Sequence, residues 1–310
     1  MKTKLISGFV LFFLLVGASG FSQQDPMVSQ YMFNGLFLNP AYAGTHDYFT
    51  SSHSYRKQWV GFDGSPQTII SAVDGPIKGK NMGVGAIFFN DQIGVSTQNS
   101  FLLNYSYQLK VSEKGKLSMG LSGGLSQFSA RLSELTVWDG DDPVFSNDLT
   151  SRLIPRFGFG LYYFQDNFYA GFSIPTLLAY QQNRDFSFNV NNATFLHRHY
   201  LLTFGYIFEV TDEIKLKPSV LLKYLPHAPV QADVNLGVLF KDTFWIGTSF
   251  RTGDASVVLV EYQSNSYFRV GYAYDITFSA LRHHSAGSHE VVVGIDFGRD
   301  LTTVKTPRFF

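Results

Sequence analysis

Apolar and polar residues alternate one by one along most of this chain, and this period of two limits its fold more than any other feature. The clearest case is 97–111, where only Leu102 breaks the alternation. One face there carries Phe101, Leu103, Tyr105, Tyr107 and Leu109, and the other carries polar residues. Because successive side chains of a β-strand point to opposite faces, the pattern indicates a strand with one apolar and one polar face.

Segments of this kind recur about fourteen times along the chain. They are 49–60, 66–75, 80–91, 97–111, 115–128, 152–165, 167–175, 197–210, 214–225, 229–241, 243–251, 255–263, 266–275 and 288–298. Most of them are close to the roughly 9–11 residues that a tilted strand needs to cross a bilayer. The pattern therefore predicts an all-β chain whose strands can span a membrane.

The connections between these segments differ in length according to their position in the series. After the even-numbered segments they are short, as in Gly75–Lys80 and Lys241–Thr243, whereas long ones follow the fifth, seventh and thirteenth segments. Outer-membrane barrels have short periplasmic turns and longer extracellular loops. We therefore predict a transmembrane antiparallel β-barrel of about fourteen strands over 49–298, with no transmembrane helix.

In such a barrel the polar face of each strand lines the lumen and the apolar face meets lipid. The charged residues predicted to lie in the lumen are Arg156, Lys215, Lys217, Lys223, Asp233, Arg251, Glu261, Arg269, Asp275, Glu290 and Asp296. Both signs of charge occur among them, so we expect ion pairs between strands. The aromatic residues predicted at the membrane interfaces are Tyr105, Tyr107, Tyr163, Tyr224, Tyr272, Tyr274 and Trp245.

The first 22 residues have the features of a secretory signal peptide. Lys2 and Lys4 form its positive end, Leu5–Val16 its apolar core and Gly17–Ser22 its cleavage region. The core is shorter than the roughly 20 residues of a spanning helix, so we expect 1–22 to be removed after export. The predicted location is the cell outer membrane, in contact with its lipid.

Composition excludes several classes of function. The chain has 24 basic and 24 acidic residues and no net charge, which argues against a nucleic-acid-binding protein. It has no cysteine, which excludes disulfides, cysteine-ligated metals and thiol catalysis. Aromatic residues make up 16% of the chain, and such a content is typical of β-proteins.

Between the signal peptide and the first strand, the stretch 23–48 is apolar but suits neither a long helix nor a strand. Its core, Ser29–Thr45, is interrupted by Asn34, Gly35, Asn39, Pro40 and Gly44. We expect short turns whose aromatic side chains are buried in the lumen or across its periplasmic mouth. The interpretation is a plug, with Pro40 and Gly44 turning the chain into the first strand.

The same stretch carries a resemblance to a known family. Asp25–Thr45, D-P-M-V-S-Q-Y-M-F-N-G-L-F-L-N-P-A-Y-A-G-T, resembles the amino-terminal hallmark of the PorP/SprF family of the type IX secretion system of Bacteroidota. Its family-motif residues here are Gln30, Tyr31, Asn34, Asn39, Pro40, Ala41, Tyr42, Ala43 and Gly44. Further similar blocks are Ser54–Trp59, Ser65–Thr68, Gly83–Asp91, Tyr274–Ser279, Gly287–Glu290 and Thr306–Phe310, the last with Phe309 where the family more often has Tyr.

The resemblance implies a barrel without enzymatic activity or cofactor. It implies an accessory that helps large adhesins reach or stay at the cell surface and supports gliding motility. The implied partners are the secreted adhesin and periplasmic or peptidoglycan-associated secretion components. Two alternative hypotheses are a channel or transporter for small or hydrophobic solutes and, less favoured, a surface hydrolase.

Two clusters of polar residues have side chains that could form a chemical site. Asp139, Asp141 and Asp142 could bind calcium, but the full calcium-loop pattern is absent and a solvated loop is preferred. His283, His284 and His289 could bind a metal or serve a hydrolase, yet nothing fixes a nucleophile beside them. We therefore predict no metal and no catalytic residue.

Two long loops and the carboxyl terminus are the predicted contact regions. The aromatic residues Trp138, Phe145, Tyr180, Phe186 and Phe188 lie on loops, where they would form a lid over the barrel or a surface for a partner. The segment 299–310 is expected to be a short periplasmic tail, either disordered or a handle for assembly machinery. Its candidate contact residues are Arg308, Phe309 and Phe310.

Overall fold

The computed structural model describes residues 28–135, 148–179, 198–226, 228–264 and 267–297. Within them, antiparallel strands account for most of the chain. The strands are β1 (Phe49–Lys57), β2 (Gln67–Pro76), β3 (Met82–Ile93), β4 (Ser96–Lys110), β5 (Lys116–Ala130), β6 (Leu149–Gln165), β7 (Phe168–Ala179), β8 (Tyr200–Tyr206), β9 (Phe208–Thr211), β10 (Ile214–Tyr224), β11 (Gln231–Phe240), β12 (Phe244–Arg251), β13 (Ala255–Gln263), β14 (Phe268–Thr277) and β15 (Ser288–Phe297).

The strands form one closed barrel. Each pairs with its neighbours in the chain, and β1 pairs with β15 from Phe49 opposite Phe297 to Lys57 opposite His289. Only Ile207 separates β8 from β9, and both pair with β10, so they act as one strand and the barrel has fourteen. The predicted fourteen-strand antiparallel barrel is confirmed. No helix in the described part of the chain has the length and apolar character to span a membrane.

The two ends of the barrel differ in their connections. One end, here named the short-turn end, carries the turns 77–81, 111–115, 166–167, 212–213, 241–243 and 264–267. The other, named the long-loop end, carries 58–66, 131–148, 180–199 and 278–287 together with three shorter connections. The barrel both starts and finishes at the short-turn end, because Phe49 opens β1 there and Phe297 closes β15 there.

The two faces of the wall follow the alternation of the sequence. Leu103 and Leu121 on the outer face are 57% and 61% exposed, whereas Ser106 and Asp275 on the inner face are almost fully buried. Closure of the sheet pairs the backbone of every strand, and the apolar outer face then suits lipid.

One predicted placement differs from the structure. Trp245, predicted at a membrane interface, points inward and is 3% exposed, because its neighbours Phe244 and Ile246 occupy the outward positions of β12. Lys215 is in phase with the buried positions of β10 but is only partly buried, and it pairs with Asp242 in the turn at the short-turn end, with 2.7 Å between Nζ and Oδ1. Of the other predicted lumen charges, Arg269 is half-buried and the rest are buried.

The lumen also contains apolar side chains that the alternation did not predict. Ile70, Ile87, Phe89, Leu102 and Leu221 are buried on the inner face. They form one cluster with residues of the stretch before β1, including Val28, Tyr31, Leu36 and Tyr42. The apparent exception Leu102 is therefore an inner-face position that packs against this stretch.

Candidate functional site

The stretch Val28–Tyr48, named here the N-terminal segment, is built from three short helical turns. These are Tyr31–Phe33, Gly35–Leu38 and Pro40–Tyr42. Asn39 begins the third turn, where its Oδ1 accepts a hydrogen bond from the Ala41 N–H at 2.9 Å. Pro40 suits the first position of that turn because its missing N–H would have no partner there.

Side chains of the barrel bind the backbone of the segment near the short-turn end. Ser106 Oγ donates to the carbonyl of Ala43 and Gln108 Nε2 to that of Gly44, both at 2.6 Å. Asp74 accepts the N–H of Gly44 at 2.9 Å. Because such bonds reach the backbone itself, they fix the path of the chain rather than the identity of its side chains.

The same contact continues toward the middle of the lumen. Ser173 Oγ donates to the carbonyl of Leu38 at 2.6 Å, and Asn39 Nδ2 donates to the carbonyl of Leu161 at 2.9 Å. The latter bond links the segment to the backbone of β6.

Glycines on the inner face let the segment approach the wall closely. A Cβ added to Gly120 of β5 would overlap the backbone nitrogen of Ala41, and one added to Gly83 of β3 would overlap the carbonyl of Ala43. Gly44 has φ +65°, in the left-handed region that favours glycine, and it turns the chain toward β1. The sequence therefore provides space in the wall where the segment lies.

At the opposite end of the segment, Ser29 and Gln30 contact a group of buried charges. This Arg56 cluster consists of Arg56, Lys223, Asp233, Arg251, Asp275 and Glu290. Glu290 accepts the backbone N–H groups of Ser29 at 2.6 Å and Gln30 at 3.1 Å. Ser29 Oγ donates to Asp275 at 2.8 Å and accepts from Arg56 Nη1 at 2.6 Å.

The charges of the Arg56 cluster are balanced within the lumen. Arg56 lies 2.7 Å from Asp275 Oδ2 and 3.2 Å from Glu290 Oε2, while Asp233 pairs with Arg251 at 3.2 Å and with Lys223 at 2.8 Å. Three buried cations thus face three buried carboxylates, and the partly exposed Asp254 adds a fourth carboxylate 3.2 Å from Arg251. Buried charges are tolerated only when paired in this way, so the expected ion pairs between strands are present.

Aromatic contacts hold the middle of the segment. Tyr31 accepts a hydrogen bond from Asn235 of β11, and burial raises the pKa of its phenol, which therefore stays protonated. Phe33 meets the ring of Trp245 edge to face, with 6.3 Å between centroids, and Phe37 meets Phe89 at 5.7 Å. These contacts explain why Trp245 points inward.

Tyr42 makes the main side-chain contacts in the part of the segment nearest to β1. Its hydroxyl hydrogen-bonds His46 Nε2 at 2.8 Å, and its ring meets Tyr162 edge to face at 5.6 Å. Burial raises the pKa of Tyr42 as well. Tyr42 is thus a neutral hydrogen-bonding group at neutral pH.

The residues singled out from the sequence come together only in part. The structure places the nine family-motif residues in the N-terminal segment, where all of them are buried. They are Gln30, Tyr31, Asn34, Asn39, Pro40, Ala41, Tyr42, Ala43 and Gly44. Asn34 joins them through Ser52, whose Oγ donates to its Oδ1 at 2.9 Å. The loop residues Trp138, Phe145, Tyr180, Phe186 and Phe188 and the tail residues Arg308, Phe309 and Phe310 lie outside the described residues.

Several contacting residues were missed by sequence reasoning. Arg56 and Asp74 were not assigned to the lumen, although both occupy inward positions of their strands, and Ser106 and Gln108 were placed only on the polar face of β4, with no contact to the segment predicted. A signal for Arg56 existed, because the similar blocks Ser54–Trp59, Tyr274–Ser279 and Gly287–Glu290 contain Arg56, Asp275 and Glu290. In the structure these three blocks meet at Ser29.

The clusters weighed for metal binding or catalysis do not form a centre among the described residues. His289 points outward and hydrogen-bonds Tyr272 at 2.6 Å, while His283 accepts from its neighbour Arg282 at 3.0 Å. The described part of the chain holds no group of three or more side chains suited to a metal ion. Asp139, Asp141 and Asp142 lie outside the described residues.

A cavity of about 60 Å³ lies beside the N-terminal segment. Its walls are mostly apolar, with Leu102, Leu201 and Leu221 among them, and Arg156, His199 and Lys223 supply polar groups. A cavity of this volume is well below the roughly 300–1,000 Å³ of small-molecule sites.

Comparison with known proteins identifies the family. The family described as type IX secretion system membrane protein PorP/SprF matches residues 20–295. The chain has no match among curated proteins.

Solved structures with a similar fold include three outer-membrane barrels or channels. The CymD monoaromatic hydrocarbon channel is 12% identical, with a TM-score of 0.47, and the match covers 90% of this chain and 94% of that one. The Ralstonia pickettii toluene transporter TbuX is 9% identical, with a TM-score of 0.47 and 83% and 91% covered. The Acinetobacter baumannii outer membrane protein Omp33 is 8% identical, with a TM-score of 0.45 and 82% and 99% covered.

The family match over residues 20–295 agrees with the structure, which is a closed barrel with an apolar outer face. Barrels of this architecture lie in the bacterial outer membrane, and the matching family is one of secretion-system membrane proteins, not of enzymes. This chain therefore belongs to the PorP/SprF family of type IX secretion system membrane proteins and is a β-barrel of the outer membrane.

Proposed function

We propose that the barrel is an accessory of type IX secretion that supports the secretion or surface anchoring of large adhesins, and through them gliding motility. Membership of the family supports a role in secretion. The role in handling adhesins is supported by the packing of the N-terminal segment against inner-face residues of the barrel. Its backbone is hydrogen-bonded by Asp74, Ser106, Gln108 and Ser173.

In this proposal the N-terminal segment is a plug. A lumen occupied by bonded, buried chain offers little path for a solute, so the work of the barrel falls to its surfaces. The outer surface would be formed by the long loops that carry Trp138, Phe145, Tyr180, Phe186 and Phe188, which would receive a secreted adhesin. Aromatic side chains of this kind are frequent anchors in protein interfaces.

The opposite surface would face the periplasm. There the tail 299–310, with Arg308, Phe309 and Phe310, would serve as a handle for periplasmic or peptidoglycan-associated secretion components. The wall itself would contact only outer-membrane lipid.

A channel for small or hydrophobic solutes is the second candidate function. The apolar character of the cavity beside the N-terminal segment, with Leu102, Leu201 and Leu221 in its walls, favours it. The two functions differ in what the lumen does, since a channel needs a continuous path and an accessory does not.

The proposal is tested by affinity purification from the native bacterium in mild detergent, followed by mass spectrometry. We expect a large adhesin and periplasmic secretion components to be recovered with the full chain. A variant with Trp138→Ser and Phe145→Ser should lose the adhesin and keep the periplasmic components, and a chain that stops at Lys305 should do the reverse. Phe62→Ser is the matched control, because Phe62 is an exposed aromatic residue of another loop at the same end.

A deletion strain supplies the contrary result. If all adhesins are still secreted and displayed without this chain, and no partner is recovered, the accessory function is wrong. Uptake of a hydrophobic solute that depends on the chain would then favour the channel.

A further inference from the structure

Four residues lie side by side on the outer face of the barrel near its long-loop end. Lys57 of β1 is paired in register with Gln67 of β2 on one side and with His289 of β15 on the other, and His289 is paired with Tyr274 of β14. All four occupy outward positions of their strands and are partly exposed. This set, named here the Lys57 row, crosses the seam between the first and last strands of the barrel.

Contacts with neighbouring tyrosines orient the polar groups of this row. The Tyr55 hydroxyl donates to Gln67 Oε1 at 3.3 Å, which leaves the Nε2–H groups of that amide for another acceptor. The Tyr272 hydroxyl lies 2.6 Å from His289 Nδ1. When the hydroxyl donates this bond, the other ring nitrogen, Nε2, carries the imidazole proton and can itself donate. The His289 ring is also held against the ring of Tyr274, with 5.1 Å between centroids.

Lys57 gives the row a positive charge that forms no ion pair among the described residues. The carboxylates nearest to it along the neighbouring strands, Asp275 and Glu290, face the lumen, where Arg56 binds them. The row therefore places one cation between two neutral hydrogen-bond donors. A phosphate group has enough oxygen atoms to accept from all three donors at once, and its charge strengthens each hydrogen bond.

On the side of the row that faces the short-turn end, the outer surface becomes apolar and aromatic. The next residues there are Ile69, Tyr55, Val291 and Tyr272, which are paired in register in that order and are each at least 40% exposed. In outer-membrane barrels the longer loops are extracellular. The two rows together therefore stand where the headgroups of the outer leaflet meet the acyl chains, the level at which tyrosines are frequent.

We propose that the Lys57 row binds the phosphorylated headgroup of a lipid in the outer leaflet of the outer membrane, and that the acyl chains of this lipid lie along the apolar row beside it. Basic residues at a membrane surface attract anionic lipids. A polar row next to an apolar row matches both parts of such a lipid, whereas a free phosphate ion would use only the first. The bound lipid contacts β1, β2 and β15 and so bridges the seam from outside, whatever the barrel does in secretion.

Native mass spectrometry of the full chain in detergent tests the site. A glucosamine-based lipid with two phosphate groups is titrated, and the fraction of protein that carries one lipid gives the dissociation constant. We expect Lys57→Met to weaken binding about fivefold, the usual contribution of one basic residue near an anionic surface. Lys57→Arg should retain binding, since a guanidinium group also binds phosphate. Lys78→Met is the matched control, because Lys78 is an exposed lysine in the turn 77–81 at the other end of the barrel.

Two further titrations distinguish the headgroup from other ligands. The same lipid without its phosphate groups should bind the wild-type chain and Lys57→Met equally, because the lysine then has no anion to contact. Excess inorganic phosphate should leave the phosphorylated lipid bound, because a free ion gains nothing from the apolar row. Gln67→Leu removes a neutral donor from the Lys57 row and should also weaken binding of the phosphorylated lipid.

Equal affinity of the wild-type chain and Lys57→Met for the phosphorylated lipid would overturn the proposal. Displacement of the lipid by inorganic phosphate would overturn it as well, since the site would then take a free anion. The heat-dependent gel mobility of each variant verifies that the barrel is folded.

Discussion

Arg56 lies on the inner face of β1 and joins three strands and the N-terminal segment through its guanidinium group. It is 1% exposed and contacts Asp275 of β14, Glu290 of β15 and Ser29. The pair β1–β15 is the one seam of the barrel that no hairpin connects, so Arg56 and Glu290 link the first and last strands from inside. The residue thus couples barrel closure to the position of the segment.

Replacing Arg56 by Met should destabilise the barrel strongly. The change leaves the buried Glu290 without its cation and removes the nearer of two cations from Asp275, which keeps Arg251 at 3.6 Å. Breaking a buried pair costs about 3–5 kcal/mol. Lys241→Met is the control, because Lys241 pairs with Glu213 at 3.5 Å with both side chains more than half exposed, and such pairs are worth below about 1 kcal/mol. Urea unfolding in lipid vesicles measures both, and equal free energies of unfolding for the two variants would contradict this account.

Gly120 should tolerate no side chain while the segment is in place. Gly120→Ala would force a methyl group against the backbone of Ala41, and overpacking of this kind costs about 1–3 kcal/mol. Gly123→Ala on the same strand is the matched control, since its Cβ would meet only the Phe157 ring at 3.7 Å. A lower midpoint of unfolding for the first variant alone is expected, and a wild-type midpoint would show that the contact with Ala41 is dispensable.

Residue placement could be predicted from the sequence where the alternation is regular. Asp233, Arg251, Asp275 and Glu290 were assigned to the lumen because their strands alternate cleanly. The prediction for Trp245 was wrong because it rested on the frequency of tryptophan at membrane interfaces. The alternation of β12 places this residue on the inner face. The interior position of Leu102 needed knowledge of its partner, since an apolar residue in a lumen is explained only by the segment that covers it.

At the scale of elements, the wall is least regular along β7. Its pairing with β8 ends at Ser173 opposite Leu201, although β7 continues to Ala179. On its other side, the register with β6 shifts between Phe157 and Phe159. Pro175 lies in this interval and has no N–H to donate, which accounts for a break in the hydrogen-bonding ladder.

Amide hydrogen exchange should be faster in the part of β7 that follows Ser173 than in regularly paired strands. The amides of Thr176 and Leu177 are expected to exchange faster than those of Leu103–Tyr107 in β4, a stretch that is paired with both β3 and β5. Exchange followed by mass spectrometry compares peptides from the two strands in one sample. Equal protection would mean that the ladder of β7 is complete in the membrane.

The strands themselves were predictable and their irregularities were not. All fourteen predicted segments correspond to strands, because each alternates over enough residues to show its period. The interruption at Ile207, whose N–H bonds to the carbonyl of Asn167 at 2.8 Å, has no mark in the local sequence. Such a bulge depends on the register of neighbouring strands, which one segment cannot reveal.

At the scale of the whole molecule, the barrel and the N-terminal segment depend on each other. The wall supplies glycines, hydroxyl groups and carboxylates where the segment passes, and the segment covers apolar side chains that would otherwise face water in the lumen. Alternation predicted the wall, and the broken pattern of Ser29–Thr45 predicted turns. The end-to-end path of the segment joins residues as distant in sequence as Ser29 and Glu290, so it became visible only in three dimensions.

This dependence predicts how the protein conducts ions. In planar bilayers the wild-type chain should show low conductance, because the proposed plug would leave little path for ions. Gln30→Glu should raise it, because the Gln30 Nε2 group now donates to the backbone carbonyl of Glu290 at 3.2 Å. A carboxylate in its place cannot donate this bond and adds a negative charge next to the acidic residue Glu290. Gln67→Glu, the same change on the outward side of β2, should leave conductance unaltered.

The conductance of the wild-type chain decides between a filled and an open barrel. Porin-like conductance without any substitution would mean that the segment leaves a continuous path, and the plug would then be wrong. Low conductance in all three proteins would mean that the contact with Glu290 does not hold the segment in place. If the segment is anchored at the Arg56 cluster, the conductance should increase only in Gln30→Glu. Only that substitution adds charge where Ser29 and Gln30 are bound.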